Sequence, residues 1–593
     1  MLLAIEICLT AIALALAYVA PEFGAKWFEK SERQFGRLAQ RRAMAVVSLG
    51  LLALAARVAL LPILPIPEPA IHDEFSHLML ADTLAHGRLA NPTHPMWIHF
   101  ETFHVNQKPT YASMYYPGQG LFLAAGQVIG GHPFWGVWFS TGLMCAAICW
   151  LLQGWLPAGW ALLGGFLAVI RLTTFSYWAN TYYGGAVAAI GGALVLGALP
   201  RIRRRQRVRD ALVMGLGLAI LANTRPYESL FFFIPIGFAL LFWMLKEKSP
   251  PFRVQLTHIV APLSGLLAVA LICMGYYFWR VTGSLFRIPY QVNIQTYHLL
   301  YFPWQNPEPQ AIYRHAVMRE FYLGAPVLGQ FERARLHPIL LLLSKPLPIW
   351  IFYLGPLLTL PLLVAVFVKV RGIRGLFASR KTRFLLVVCG FTFIGLALPI
   401  YLPPAHYSAA LTGAIFAIVL QAMRVLRMWH WNGRPAGRFL VRSVPVISVL
   451  LLLLVVAAPA LHIPIPVTVV HTWYSQDTHN VDRARILTQL ENTPGDHLVI
   501  VRYQPNHDVL DEWVYNRADI DGSKVVWARD MDATQNEQLI EYFRTRQVWL
   551  LQPDETPAKL SPYLPSSKTS LNSEQLQTSS RKNLWSLTAD ASD

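Results

Sequence analysis

His72-Asp73-Glu74 stands where the apolar stretch Ala43 to Pro67 gives way to a polar loop. Ionised carboxylates at the end of a membrane span are costly unless something uses them, so Asp73 and Glu74 are candidates for general acid–base work. The alternative is structural: Asp73 caps the next helix and Glu74 sits favourably in its first turn. The same loop carries Glu101 and six of the 18 histidines, His72, His77, His86, His94, His99 and His104. Of these only His77 shares a helix face with Asp73, at i, i+4, while the five-residue spacing of His94, His99 and His104 disperses them around a helix. Hydrogen bonding is therefore expected of these histidines ahead of metal binding. Cys8, Cys145, Cys149, Cys273 and Cys389 all fall in apolar stretches, which leaves no thiol pair for a disulfide framework in the polar segments.

The elements that must position these groups are membrane helices. Hydrophobic residues make up 54% of the chain and charged residues 14%, and each apolar run is close to the ~20 residues that cross ~30 Å of hydrocarbon. Twelve spans are expected, near 3–20, 44–64, 134–153, 160–176, 185–200, 211–223, 229–245, 257–279, 340–368, 384–402, 409–425 and 443–463. Alternate connections hold 26 Lys and Arg against five acids, enough to account for the whole net charge of +17. By the positive-inside rule those connections are cytoplasmic, and the basic balance reports topology and attraction to anionic lipid with no nucleic-acid footprint. The first stretch carries Glu6 and no basic leader, so a retained helix is expected over a cleaved signal peptide.

This gives an all-α polytopic bundle with a small α/β domain behind it. The expected divisions are an extra N-terminal helix and basic loop over 1–43, a membrane domain over 44–464 with a catalytic outer loop at 65–133, a soluble extracytoplasmic domain over 465–563, and a disordered tail over 564–593. Residues 465–593 carry 18 acids against 12 Lys and Arg, with shorter apolar runs. They read as helices at 481–493 and 533–546 and strands at His497 to Tyr503, Val525 to Asp530 and Val548 to Gln552. In the outer loop, Asp73 to His86 and Gly118 to Gly130 are amphipathic and too short to span, so both are expected along the membrane surface.

Asp73-Glu74 at the end of a span, Tyr116-Pro117 opening the second surface helix and His406-Tyr407 at the start of a late span give residues 44 to 425 a resemblance to the GT-C glycosyltransferases. Within them the chain looks closest to bacterial lipopolysaccharide sugar transferases and the aminoarabinose transferase of lipid A, with protein mannosyltransferases as further relatives. The resemblance implies a bacterial plasma-membrane enzyme that takes a sugar from a polyprenyl-phosphate donor and passes it to an extracytoplasmic glycan, lipid or protein acceptor, with no cofactor. It implies that Asp73 is the base on the acceptor, with Glu74 and Glu101 as further acids. Negative charge on a departing phosphate calls for cations, and Lys108, Arg225, Arg287 and His406 are the outer-facing candidates. Arg225 leads them, at the outer end of a span in Asn223-Thr-Arg-Pro-Tyr-Glu228, where Glu228 can orient it; an ordinary snorkelling arginine is the alternative.

Three features depart from that family pattern. Met114-Tyr115-Tyr116-Pro117 stands where many relatives have an acid, a lysine and two prolines; Asn180-Thr-Tyr-Tyr-Gly-Gly185 replaces an acidic turn; and His406-Tyr407 replaces Arg-Tyr. Asn180 and Tyr182 are suited to holding a sugar, or to an interfacial aromatic belt. Two rival functions remain from the sequence: a transporter or lipid flippase, and a non-catalytic membrane subunit of an envelope-polysaccharide assembly.

Overall fold

A computed structural model of the chain describes residues 2–247, 249–308, 311–367, 369–370, 373–463, 472–474 and 480–564. The membrane part is built of α1 (Leu2–Val19), α2 (Arg42–Ala59), α3 (His72–Ala85), α4 (Pro117–Gly130), α5 (Phe134–Trp155), α6 (Ala158–Leu172), α7 (Ala186–Arg205), α8 (Val208–Ala222), α9 (Pro226–Met244), α10 (Phe252–Thr282), α11 (Gly355–Phe367), α12 (Arg380–Ala397), α13 (Ala405–Arg427) and α14 (Ala436–Ala457). Eight of these, α1, α2, α5, α7, α9, α10, α13 and α14, are long and apolar enough to cross a membrane, against the twelve expected spans. The other four expected stretches are helical too. Three of them are shorter (α6, α8) or open on three charges (α12), and the fourth, 340–368, is broken.

That break corrects the expectation of one span over 340–368. A 106° bend between Ala316–Leu336 and Pro338–Tyr353 precedes the stretch; within it Gly355 turns left-handed, with φ 56°, and the helices Pro338–Ser344 and Pro346–Tyr353 part where Pro346 removes a backbone donor that a continuous helix needs. Between them Lys345 is fully buried. Its Nζ donates to the carbonyls of Leu396 (3.1 Å), Ala397 (2.7 Å) and Pro399, so the charge serves the unpaired end of α12. Arg57 does the same after α2, donating to Leu64 O (2.9 Å) and Pro65 O (3.1 Å).

The centre of the bundle is α7, which packs against α5 on one side and α8 on the other, and against the first turns of α13. Small residues permit this: a Cβ on Gly192 would stand 2.2 Å from the Ala410 carbonyl oxygen. The N-terminal helix is tied in by a buried ion pair. Glu6 Oε1 accepts from Arg171 at 3.1 Å and from the Leu357 N–H at 3.2 Å, which joins α1, α6 and α11.

Above this bundle, α3 and α4 pack on each other, and between them runs a hairpin of β1 (Val105–Asn106) and β2 (Ala112–Ser113). The C-terminal part has α15 (Val481–Asn492) and α16 (Ala533–Tyr542) with strands β3 (His497–Val501), β4 (Val525–Arg529), β5 (Gln547–Gln552) and β6 (Lys559–Pro562). Their order is β4-β3-β5-β6, with β3 parallel to β4 and β5, and β6 antiparallel at the edge. The three parallel strands and both helices lie where the sequence puts them, and β6 is an addition to that reading. The sheet shares a core with the 65–133 segment, where Phe75 of α3 stacks on Tyr515 at 4.4 Å and Arg529, paired with Glu512 at 2.7 Å, donates to the Glu101 carbonyl at 2.6 Å. From residue 565 the tail expected to be disordered lies outside the described residues.

Candidate active site

Asp73 is the second residue of α3, one position past the start, so its side chain projects from the helix end toward the β1–β2 hairpin. Two contacts of Ser76 fix the hairpin against α3, and a third orients Tyr115. Ser76 Oγ donates to the His104 carbonyl at 2.7 Å and meets Ser113 Oγ at 2.7 Å, and the Tyr115 N–H donates to Ser113 Oγ at 3.1 Å. His104 takes a left-handed backbone, with φ 60°, a conformation that costs a non-glycine residue and persists only where its surroundings fix it. Here the Ser76 hydroxyl and the Met114 N–H (3.1 Å) both hold its carbonyl.

The result is a set of converging polar side chains. The Tyr115 hydroxyl donates to Asp73 Oδ1, and His104 Nδ1 lies 3.3 Å from the Tyr115 oxygen. A phenol has one proton, and Tyr115 gives it to the carboxylate, so the imidazole is the donor in the second contact. His77 stacks on the Tyr115 ring at 4.4 Å. No hydrogen bond to Asp73 Oδ2 is present among the described residues. That oxygen is free to take a proton.

Arg225 comes to the same place from the turn before α9. The Gly118 N–H, at the start of α4, donates to the Asn223 carbonyl at 2.7 Å, and a Cβ on Gly118 would sit 2.5 Å from that oxygen. Glycine therefore lets α4 press on the turn that presents Arg225. The guanidinium lies over the Tyr407 ring, 4.4 Å from its centroid, and within electrostatic reach of Glu228, Tyr290 and Tyr115. Tyr290 shares a hydroxyl–hydroxyl hydrogen bond with Tyr301. Asp73, Tyr115, Arg225, Tyr290, Tyr301 and Tyr407 are each partly exposed, so the cluster is reachable from outside the protein.

Electrostatics divides the labour. Burial disfavours the Asp73 charge, but the His104 ring, the Tyr115 hydroxyl, His77 and His72 outweigh it and hold the carboxyl below its usual range. Burial pushes His77 down to about 3 and His72 to about 4, and lowers His104, so these rings are neutral at physiological pH. Burial, with Asp73 nearby, keeps the Tyr115 proton on its oxygen. Arg225 is held above its ordinary value by Tyr407 and Glu228 against the effect of burial, and stays charged.

The cluster gathers Asp73, Arg225, Tyr407 and Glu228 from the residues singled out in the sequence, with Tyr116 at its margin against Phe278. Others stand apart. Glu74 is buried and accepts from the N–H groups of Ala70 (2.8 Å), Ile71 (3.4 Å) and Tyr182 (3.1 Å). Glu101 is buried with Arg314 and His315, both at 3.3 Å. Lys108 is exposed, 4.4 Å over Trp97, and Arg287 is exposed and bonded to Gln295 at 2.7 Å. Asn180 Nδ2 donates to the Thr174 and Ser176 carbonyls, Tyr182 donates to the Pro67 carbonyl at 2.8 Å, and His406 meets the Tyr177 hydroxyl at 3.0 Å. Tyr115, Tyr290 and Tyr301 were not singled out as site residues, and His77 and His104 only as members of a histidine-rich loop. Among the described residues no three His, Cys, Asp or Glu side chains converge as metal ligands.

Glu74 thus splices the start of α3 to the 181–184 turn. Glu74→Ala leaves the Tyr182 N–H buried without an acceptor, at about 1–3 kcal/mol, and should lower the thermal midpoint of the detergent-solubilised protein. An unchanged midpoint would contradict that role.

No family model and no curated protein sequence matches the chain. Among solved structures it is similar in fold to the oligosaccharyltransferase of Archaeoglobus fulgidus. Its complex with zinc and sulfate matches at 11% identity and a TM-score of 0.47, over 86% of this chain and 67% of that one. The apo form matches at 10% and 0.42, over 77% and 62%. The same enzyme, AglB, in complex with an inhibitory peptide and a dolichol-phosphate matches at 10% and 0.41, over 86% and 69%. The chain thus spans less than two thirds of the length of the apo oligosaccharyltransferase.

Proposed function

We propose that this chain is a membrane glycosyltransferase that moves a sugar from a polyprenyl-phosphate donor to an extracytoplasmic glycan, lipid or protein acceptor. The observation that carries the reading is the convergence of a depressed carboxylate with one free oxygen, Asp73, and a permanently charged guanidinium, Arg225, in one tyrosine-rich cluster beside the membrane helices. In the reaction, Asp73 Oδ2 takes the proton of an acceptor hydroxyl as its oxygen bonds to the anomeric carbon. The bond from that carbon to the phosphate oxygen breaks, and its electron pair stays on the phosphate. Arg225 faces that charge. A positioned base contributes ~10²–10⁴ in rate.

The test is mass spectrometry of lipid retained by the full-length protein after mild detergent extraction. A polyprenyl-phosphate sugar is the expected passenger, and its mass names the sugar. Retention of bulk phospholipid alone, with no turnover of added polyprenyl-phosphate sugars, would overturn the proposal.

Tyr115 and His104 set the working range of this base. The rate needs ionised Asp73 and falls as pH drops through its pKa. Tyr115→Phe removes a donor that favours the carboxylate, which raises that pKa, so the acid limb of the pH–rate profile should move to higher pH. His104→Gly tolerates the left-handed backbone yet loses the ring, and should shift the limb in the same direction. His104→Asn, which keeps a side-chain donor and also tolerates that backbone, should restore it in part. Profiles that coincide for all four proteins would rule the role out.

A further inference from the structure

At the basic end of the bundle, away from the Asp73–Arg225 cluster, the turn between α5 and α6, the start of α12 and the end of α13 enclose a cavity of about 210 Å³ lined by Trp155, Lys381, Thr382, Leu385, Gln421 and Arg424. Two cations, Lys381 and Arg424, line it, and Arg204 lies within electrostatic reach of Lys381 behind them. Each is held by neutral groups. Lys381 Nζ donates to the Trp155 carbonyl (3.3 Å), Arg204 to the Gly154 carbonyl (2.6 Å) and Arg424 to Gln421 Oε1 (2.9 Å). Among the described residues none of the three has an acid partner. The contrast is one helical turn away, where Arg427 and, from α14, Arg442 share Glu32 at 3.3 and 2.9 Å.

The polar lining is unspent as well. Thr382 is 2% exposed and lines the cavity, yet its hydroxyl makes no hydrogen bond among the described residues. It sits in the first turn of α12, which opens Arg380-Lys381-Thr382-Arg383 with no acid and no side-chain cap from Ser379. Cations at the positive end of a helix dipole, with uncapped N–H groups beside them, oppose the local field. An anion relieves all of these at once.

The rest of the cavity says which anion. Phe384 stacks on Trp155 at 5.9 Å, and Leu385 and Ala417 add apolar wall. Cations beside an apolar wall at the basic end of a membrane bundle suit a lipid headgroup, whose charge and glycerol backbone meet both. We propose that this cavity binds the phosphate headgroup of an anionic phospholipid, seating the lipid against α12. The site stands independently of the glycosyl transfer proposed above.

Native mass spectrometry of the full-length protein in detergent tests this, with dioleoylphosphatidylglycerol, dioleoylphosphatidylcholine and inorganic phosphate as probes. The wild type should retain the phosphatidylglycerol and not the phosphatidylcholine. Lys381→Gln with Arg424→Gln should weaken retention by roughly 25-fold, about fivefold per cation. Lys246→Gln with Arg253→Gln removes the same charge elsewhere on this face and should change it less than twofold. Thr382→Val, neutral and close in shape, should weaken retention severalfold and keeps the test alive if the double variant misfolds. Equal losses in the two double variants, or none with Thr382→Val, would reduce the effect to diffuse attraction and overturn the site. Inorganic phosphate displacing the phosphatidylglycerol at equal concentration would overturn the lipid as its occupant.

Discussion

Asp73→Asn should leave the protein folded and its donor bound while glycosyl transfer falls by ~10²–10⁴, about 3–5 kcal/mol of barrier. The fold is spared because an asparagine carbonyl still accepts from the Tyr115 hydroxyl, the hydrogen bond that ties α3 to the segment after the hairpin. What disappears is the charge on the free oxygen. An amide cannot take the acceptor's proton, so the loss falls on the chemical step. Single-turnover transfer with preloaded donor measures it, alongside the thermal midpoint and the amount of lipid retained. Turnover within threefold of wild type would remove Asp73 from the role of base.

Adjacent carboxylates show what a sequence can and cannot separate. Asp73 and Glu74 are about 100° apart on a helix, so one can face a cleft while the other faces the protein. Which does so depends on contacts the local sequence does not contain: Glu74 is claimed by the Tyr182 N–H more than a hundred positions away. The i, i+4 relation of Asp73 to His77 was legible and holds, as His77 stacks on the tyrosine bonded to Asp73. Tyr115 stood in plain view in Met114-Tyr115-Tyr116-Pro117, but its meaning comes from the left-handed turn at His104, which residue type alone does not pick out among the six histidines of the loop. Each of the twelve stretches picked out by hydropathy is helical, because apolar length is a local property. It overran 340–368, where Lys345-Pro346 within an apolar run and Gly355 were the signals of a break. The C-terminal helices and parallel strands were legible from periodicity. Their packing on the outer loop through Phe75–Tyr515 and Arg529–Glu101 was not, because it joins segments some four hundred residues apart.

Arg225→Ala should fail differently from Asp73→Asn, and the difference identifies the two roles. The guanidinium is held over Tyr407 and kept charged by its neighbours, so it meets a phosphate group both in the bound donor and as charge builds on leaving. Loss of a charged hydrogen-bond partner costs about 1.5–3 kcal/mol in binding, roughly ten- to a hundredfold in donor retention. Loss of a donor aimed at developing charge costs a further ~10²–10³ in rate. Arg225→Lys keeps the charge but gives up the planar stack and the forked donors, so it should recover donor retention more than rate. Lipid mass spectrometry and single-turnover transfer on the same preparations read both quantities. If Arg225→Ala retained donor like the wild type and lost only rate, the arginine would act on the transition state alone. If it lost neither, Arg225 would be the snorkelling arginine its sequence position also allows, and a phosphate site would have to be sought elsewhere in the protein.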